Sequence, residues 1–448
     1  MIPPKPAPRA EARVPLLRYL RLFRSDILSA QPARLYRAWM AEFRTPLFRS
    51  FLVNQPALIR TVLKERPCDF PKSERVTEGL RPLLGNAVFV TNGATWDRQR
   101  SLIDPAFESA GLKDSFPAML AAGRAARDRI GPGEHEVEEV ASHAAADVIF
   151  RTLFSMPIEA EQARETFDAF RAYQRAQPIL NLGALLPLPR WVPRGHRQST
   201  RKAAARIRAL FGELVARRAG EIAEGTAPDD LSTRIMTARC PATGAGFDVE
   251  EMIDQVAIFF LAGHETSAAA LAWALYLLAT HPDAQARVAE EAHALEDATG
   301  SEVMSKLPFT RDVFRETLRL YPPVPMMVRR AARPETFRGR PVPLDSQIVL
   351  SPWHLHRHAR LWDEPDVFRP ERWQTPEGRA SARDAYMPFS AGPRVCPGAS
   401  FAMAEGPLLL AILTGAYHLS PGTGRPPVPV AFLTVRSREG IFLRLSGR

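Results

Sequence analysis

The run Phe389-Ser-Ala-Gly-Pro-Arg-Val-Cys-Pro-Gly-Ala399 sets one cysteine among two glycines and two prolines, with an arginine two residues before it. An Ala/Leu-rich helical pattern follows from about Ser400 to Leu413. A thiol at such a loop-to-helix junction feels the unpaired N–H groups and partial positive charge of the helix N-terminus, which favour the thiolate. Gly392 and Gly398 let the backbone approach a bulky flat partner where a side chain would collide. Phe389 offers an aromatic wall, and Arg394 a fixed cation for a carboxylate. A structural cysteine buried in a turn has the same local look, so distant parts of the chain must decide.

With 448 residues, 46% hydrophobic and 24% charged, the chain has the composition of an ordinary globular protein with ample core. Cys68, Cys240 and Cys396 are far apart and without C-x-x-C spacing, which argues against a disulfide framework or zinc ribbon and suits a reducing, cytoplasmic setting. The start, Met1-Ile-Pro-Pro-Lys-Pro-Ala-Pro, has no apolar leader core, and the longest apolar helical pattern, around Val256–Ala279, is interrupted by His264 and Glu265. The expectation is a soluble protein without a transmembrane segment. A net charge of +10 admits an acidic partner, but its arginines form no aromatic-interleaved stripe, so nucleic acid is not expected.

Along the chain, residues 1–15 read as a flexible Pro-rich arm and 16–448 as a single domain. Phe48–Val53 reads as a strand, and Leu58, Ile59, Val62 and Leu63 give a helical face. A Pro/Gly-punctuated loop is expected over Glu74–Val90, then a helix capped at Asn92. Long helices are expected over about 112–175 and 198–225. Between them, the Leu/Pro-rich 178–193 segment is either a lid on an apolar site or a loop packed on a neighbour. Val249–Ala279 and Leu307–Leu320 are the clearest helices. Short β pieces follow at Val324–Ala331, Gln347–Leu350, Val430–Val435 and Ile441–Leu445, with a long connection over about 352–388. The fold class is mainly α with a small β portion.

Three more constellations accompany the cysteine. Ala262-Gly-His-Glu-Thr266 puts a glycine mid-helix at a cost of about 1 kcal/mol, so Gly263 needs a reason, such as a large group pressed on the backbone. Thr266 could bond a carbonyl one turn back, and Glu265 beside it would complete a proton relay. Glu316-Thr-Leu-Arg319 places an acid and a base as helix neighbours. Trp96-Asp-Arg-Gln-Arg100 aims an indole N–H and a guanidinium from one helix face. His354, His356 and His358 alternate as strand-borne metal ligands would, a reading that nothing else in the sequence supports.

Taken with Phe389, Gly392, Arg394, Cys396 and Gly398, these stretches resemble the cytochrome P-450 family. The cysteine run is similar to its haem-binding loop, F-x-x-G-x-R-x-C-x-G, and 262–266 to its A-G-x-[DE]-T signature. Glu316 and Arg319 resemble E-x-x-R, with Arg372 of Pro370-Glu-Arg-Trp373 as its third member. His356–Pro370 is similar to a further stretch but departs from it at His358 and Ala359, where the family has Asp-Pro. The resemblance spans roughly 45–445.

It implies a cytochrome P-450 fold with haem b between the long central helix and the cysteine loop. Cys396 would be the iron ligand. Phe389, Gly392, Gly398, Ala262 and Gly263 would contact the ring, and Trp96, Arg100, Arg329 and Arg394 would hold its propionates. Thr266 and Glu265 would move protons, while Glu316, Arg319 and Arg372 would brace the loop. The implied activity is insertion of one atom of O2 into a lipophilic small molecule. Electrons would come from a separate ferredoxin or flavodoxin with its NAD(P)H-dependent reductase, because no reductase segment is visible. A peroxide-driven peroxygenase is the nearer alternative, although such members lack the acid–threonine pair. A non-catalytic haem-thiolate sensor is the other, and would need neither relay nor apolar pocket.

Overall fold

The longest helix is written most clearly into the sequence. Asp248 accepts from the Glu251 N–H at 2.8 Å while the Glu251 carboxylate accepts from the Asp248 N–H at 3.2 Å, a reciprocal cap that starts a 31-residue apolar helix. Pro282 soon follows its end. The computed structural model describes residues 2–9, 15–44, 48–176, 198–431 and 433–448, so the 178–193 segment lies outside the described residues.

The helices that build the site are α1 (Gly93–Ile103), α2 (Ser109–Arg129), α3 (Val137–Phe154), α4 (Glu161–Ala176), α5 (Gln198–Glu224), α6 (Val249–Ala279), α7 (Pro282–Ala292), α8 (Pro308–Leu320) and α9 (Ala399–Ala416). Helix α6 runs through their middle, packed most extensively on α3 and also on α5, α8 and α9. Both α6 and α9 are long and apolar enough to cross a membrane, but their side chains are mostly buried inside the protein, as core helices require.

The strands, in chain order, are β1 (Met40–Arg44), β2 (Arg49–Val53), β3 (Gly133–Glu136), β4 (Met327–Arg330), β5 (Glu335–Phe337), β6 (Arg340–Val342), β7 (Gln347–Leu350), β8 (Tyr417–Pro421), β9 (Pro429–Ala431), β10 (Val435–Ser437) and β11 (Phe442–Gly447). They form a four-stranded sheet β1-β2-β7-β4, in which only β2 and β7 run parallel, a three-stranded sheet β3-β11-β8, and hairpins β5-β6 and β9-β10. Mainly α with a small β portion is therefore the observed class.

Several local expectations change. The expected loop over 74–90 contains two short helices, Glu74–Thr77 and Arg81–Leu84, and the connection over 352–388 contains the helix Pro376–Ala385. Val430–Val435 is two strands about a turn at 433–434. Residues 2–9, expected as a flexible arm, lie against the body: Tyr321 Oη donates to Pro4 O at 2.7 Å and Lys5 pairs with Asp366. The Arg9 N–H donates to Gln31 O at 3.1 Å.

Two apolar cores meet at the cysteine run. Phe389 packs on the large helical core, whereas Ala391 packs on a smaller one built from Phe51, Leu63, Ile348, Trp362 and Trp373. The loop is thus held between the helical and β portions.

Candidate active site at the cysteine loop

The loop is shaped by its backbone. The Cys396 N–H donates to Phe389 O at 2.9 Å and the Val395 N–H to Gly392 O at 3.0 Å, closing a compact turn before α9. Gly392 has φ +68°, and a Cβ there would run into Leu63 O, so only glycine fits between the loop and the helical turn at Thr61–Glu65. A Cβ on Gly398 would stand 3.9 Å from Cys396 Sγ.

Cys396 has an exposed accessible surface yet is surrounded by protein, so it opens onto a cleft. Burial pushes its thiol up, against the smaller opposing effects of the Gly398 N–H and the Arg100 charge. The thiolate preference expected from the helix N-terminus is overridden here: desolvation wins. A thiolate at this place needs a bound cation, and metal coordination removes a thiol proton outright.

Beside the cysteine lies a cluster of cations. Lys72 Nζ, Arg100 Cζ and Arg394 Cζ stand 5.5, 5.7 and 5.3 Å from the Trp96 ring. Arg329 reaches the same place from β4, and the Lys72 backbone bridges to it. Burial, then Arg329, Arg394 and Arg100, depress Lys72 to about 6. Burial and Arg394 depress Arg329 to about 10. Arg100 has Asp104 Oδ1 at 2.6 Å and donates to Val395 O at 2.8 Å, and Arg394 donates to Pro67 O at 2.7 Å. Arg329 Nε and Arg394 Nε are both buried with no hydrogen-bond partner among the described residues. Gathering like charges in a poorly solvated place is costly without an anion. Lys72 was not singled out in the sequence; a lone lysine after Pro71 carries no motif.

Behind the loop, Glu316 and Arg319 are fully buried and joined by two bonds of 2.8 and 2.9 Å. Arg372 Nε donates to Glu316 Oε1 at 2.9 Å. Arg319 also donates to His356 O, Pro365 O and Val367 O at 2.9, 2.6 and 3.0 Å. His356 Nε2 in turn accepts the Met387 N–H at 2.9 Å, two residues before Phe389. The three alternating histidines do not converge. His354 bonds Ser351 Oγ at 2.8 Å, and His358 stacks on Trp39 at 4.7 Å. No group of three metal-ligating side chains occurs among the described residues.

On α6, Ala262 is exposed and Thr266 half-buried although the helix around them is mostly buried. Thr266 Oγ1 donates to Ala262 O at 2.6 Å, as its position predicted. Two expectations are corrected. The Cβ direction of Gly263 points at Ile149 Cδ1, 2.6 Å away on α3, so this glycine serves helix packing. Glu265 does not face an open apolar space: Oε1 takes Gln174 of α4 and, at 2.9 Å, Arg436 of β10, while Oε2 has no partner among the described residues. Burial raises its pKa and Arg436 opposes the rise.

The expected haem fits these residues. The cysteine is accessible, a cation cluster with partnerless buried guanidinium nitrogens lies beside it, and α6 leaves the small residue Ala262 exposed. Large apolar side chains are exposed at Phe89 and Leu433, 43% and 44%, and Phe259 of α6 packs edge-on to Phe107.

Comparison with known proteins agrees. The family model described as Cytochrome P450 matches residues 41–443. The chain is 34% identical to a cyclooctat-9-en-7-ol 5-monooxygenase of Streptomyces melanosporofaciens, covering 93% of this chain and 90% of that protein. It is 31% identical to a cyclooctatin synthase of the same organism, covering 86% and 84%. It is also 30% identical to human cytochrome P450 4A11, covering 84% and 76%.

Proposed function

This chain belongs to the cytochrome P450 family and is a haem b-binding monooxygenase, and from that premise we propose that it oxidises a lipophilic small molecule with electrons from a separate ferredoxin or flavodoxin. The observation that carries the reading is the accessible Cys396 beside cations that lack enough anions of their own. When bound, the haem supplies the activation of O2 and its transfer to carbon; the protein's part is to hold, orient and deliver protons. The domain unit we propose is 16–448, acting in the cytoplasm.

Cys396 Sγ would ligate the iron, with Phe389, Gly392 and Gly398 shaping the near face and Ala262 bounding the far one. Trp96, Arg100, Arg329 and Arg394, joined by Lys72, would hold the two carboxylates. Arg329→Leu is expected to weaken haem retention about 10–100-fold, read as faster haem transfer to an acceptor globin. An unchanged transfer rate would remove Arg329 from the rim.

Because Thr266 Oγ1 already donates to Ala262 O, its oxygen is left to accept a hydrogen bond from a proton-donating group at the site. Thr266→Ala is expected to raise peroxide release relative to product. Unchanged coupling would take Thr266 out of the path. Glu265 supplies the outer end, held by the partly exposed Arg436. Arg436→Leu removes the charge that opposes burial, so the Glu265 pKa rises further. The pH profile of coupling should move upward, and Glu265→Gln should abolish the profile's dependence on Arg436.

A lipophilic substrate is supported by the exposed apolar side chains of Phe89 and Leu433 and by a relative named as a cyclooctat-9-en-7-ol 5-monooxygenase. The test is turnover with a surrogate ferredoxin, its reductase and NAD(P)H on compounds that shift the haem from low to high spin. Turnover with peroxide alone, and none with the electron donors, would favour a peroxygenase instead.

A further inference from the structure

Helix α9, Ala399-Ser-Phe-Ala-Met-Ala-Glu-Gly-Pro-Leu-Leu-Leu-Ala-Ile-Leu-Thr-Gly-Ala416, contains one charged residue, Glu405. A single acid inside such a helix is an expensive choice for a core position unless it is paired or neutral. Its side chain is 1% exposed. Glu405 Oε2 accepts from Ser267 Oγ at 2.7 Å, and Oε1 has no hydrogen-bond partner among the described residues. Among the described residues no base forms an ion pair with it. The next residue, Gly406, packs on the Phe314 ring of α8. The acids of α8 are already paired, Glu316 with Arg319 and Arg372 and Asp312 with Arg315, and Glu265 of α6 is tied to Arg436.

Its place gives the acid a meaning. Glu405 follows Cys396 in the chain and lies about two turns into α9, the helix that leads out of the cysteine loop. Ser267, its one partner, follows Thr266 on α6. The carboxyl is therefore a polar bridge between α9, which leads out of the cysteine loop, and α6, which carries Thr266. Apolar, low-dielectric surroundings carry a change of charge at the iron to this group with little screening.

We infer that Glu405 is a redox-linked protonation site, a carboxyl that takes up a proton when the iron gains an electron; the inference rests on the haem-thiolate reading above. The step balances simply. One electron passes from a one-electron donor to the iron, one proton passes from water to the Glu405 carboxylate, and no covalent bond of the cofactor is made or broken.

Burial pushes the Glu405 carboxyl up to about 8, and the Ser267 hydrogen bond is the opposing influence. Well below that pH the group is protonated with either iron charge, so the midpoint potential should be flat. As the pH rises through and above it, reduction must draw in a proton and the potential should fall. Glu405→Gln keeps the shape and stays uncharged, so its potential should lose the alkaline fall. Ser267→Ala removes the bond that favours the carboxylate, so the onset should move to higher pH. Lys72 remains in both variants, and any slope it contributes survives in them.

The experiment is a spectroelectrochemical titration of the purified holoprotein from mildly acidic to alkaline pH, paired with a reduced-minus-oxidised infrared difference spectrum at alkaline pH. The inference expects a carboxylic-acid C=O band on reduction that is absent in Glu405→Gln. Identical alkaline slopes in the wild type and Glu405→Gln, or no carboxyl band, would overturn it. A reduced CO complex lacking the thiolate-haem Soret position would instead overturn the reading beneath it, whatever the potentials do.

Discussion

Glu316→Ala is expected to destabilise the protein by about 3–5 kcal/mol, the cost of leaving buried charges without their partner. The single carboxylate holds Arg319 and Arg372, which are 0% and 2% exposed in their side chains. A loss of that size is a large part of a typical stability of about 5–15 kcal/mol. The effect should reach the cofactor, because Arg319 also holds His356 O, and the His356 ring accepts from Met387 at the base of the cysteine loop. Haem content and denaturant midpoint should fall together. Burial alone would raise the Glu316 pKa, but Arg319 and Arg372 outweigh it and hold the carboxyl below its usual value. A depressed folded-state pKa contributes stability that is full above the ordinary carboxylate range and is lost as pH falls through the folded value. The wild type should therefore lose an acid-sensitive share of stability that Glu316→Ala lacks. Equal acid sensitivity in the two proteins would contradict the platform's role.

Cys396→Ser is expected to reduce turnover to background, by more than the roughly 10–100-fold that loss of a supporting outer partner costs. The thiolate is the group whose electron donation favours O–O cleavage. Haem should still bind, because Trp96, Lys72, Arg100, Arg329 and Arg394 stay in place, so the expected variant is coloured but inactive. Retained turnover would remove Cys396 from the chemistry. Loss of haem together with activity would mean that the rim cations hold less of the cofactor than their arrangement implies.

What the sequence made legible were features written in a few adjacent residues. Helix α6 was expected over Val249–Ala279 and has those bounds, because its cap and apolar run are local signals. The bond from Thr266 to Ala262 O followed from spacing within one turn. Features made by distant residues stayed hidden. The Glu265 carboxyl meets Arg436, 171 positions later, and a hairpin that short carries no signal of its target. Lys72 joins Arg329 only when the chain crosses beside β4. Strand β3 is polar and lacks the alternation that marks a half-buried strand, while β8 alternates over Tyr417–Ser420 but follows α9 without a break, which hides its start. The Cys396 thiol shows the same limit in energetic form: a helix N-terminus can be read from sequence, but the desolvation that outweighs it cannot.

The most direct test of the central claim is the absorption spectrum of the purified protein, reduced under carbon monoxide. A cysteine thiolate on the iron predicts the Soret band at the thiolate-haem position, lost in Cys396→Ser. A band at the position of histidine-ligated haem in folded, unmutated protein would contradict the account.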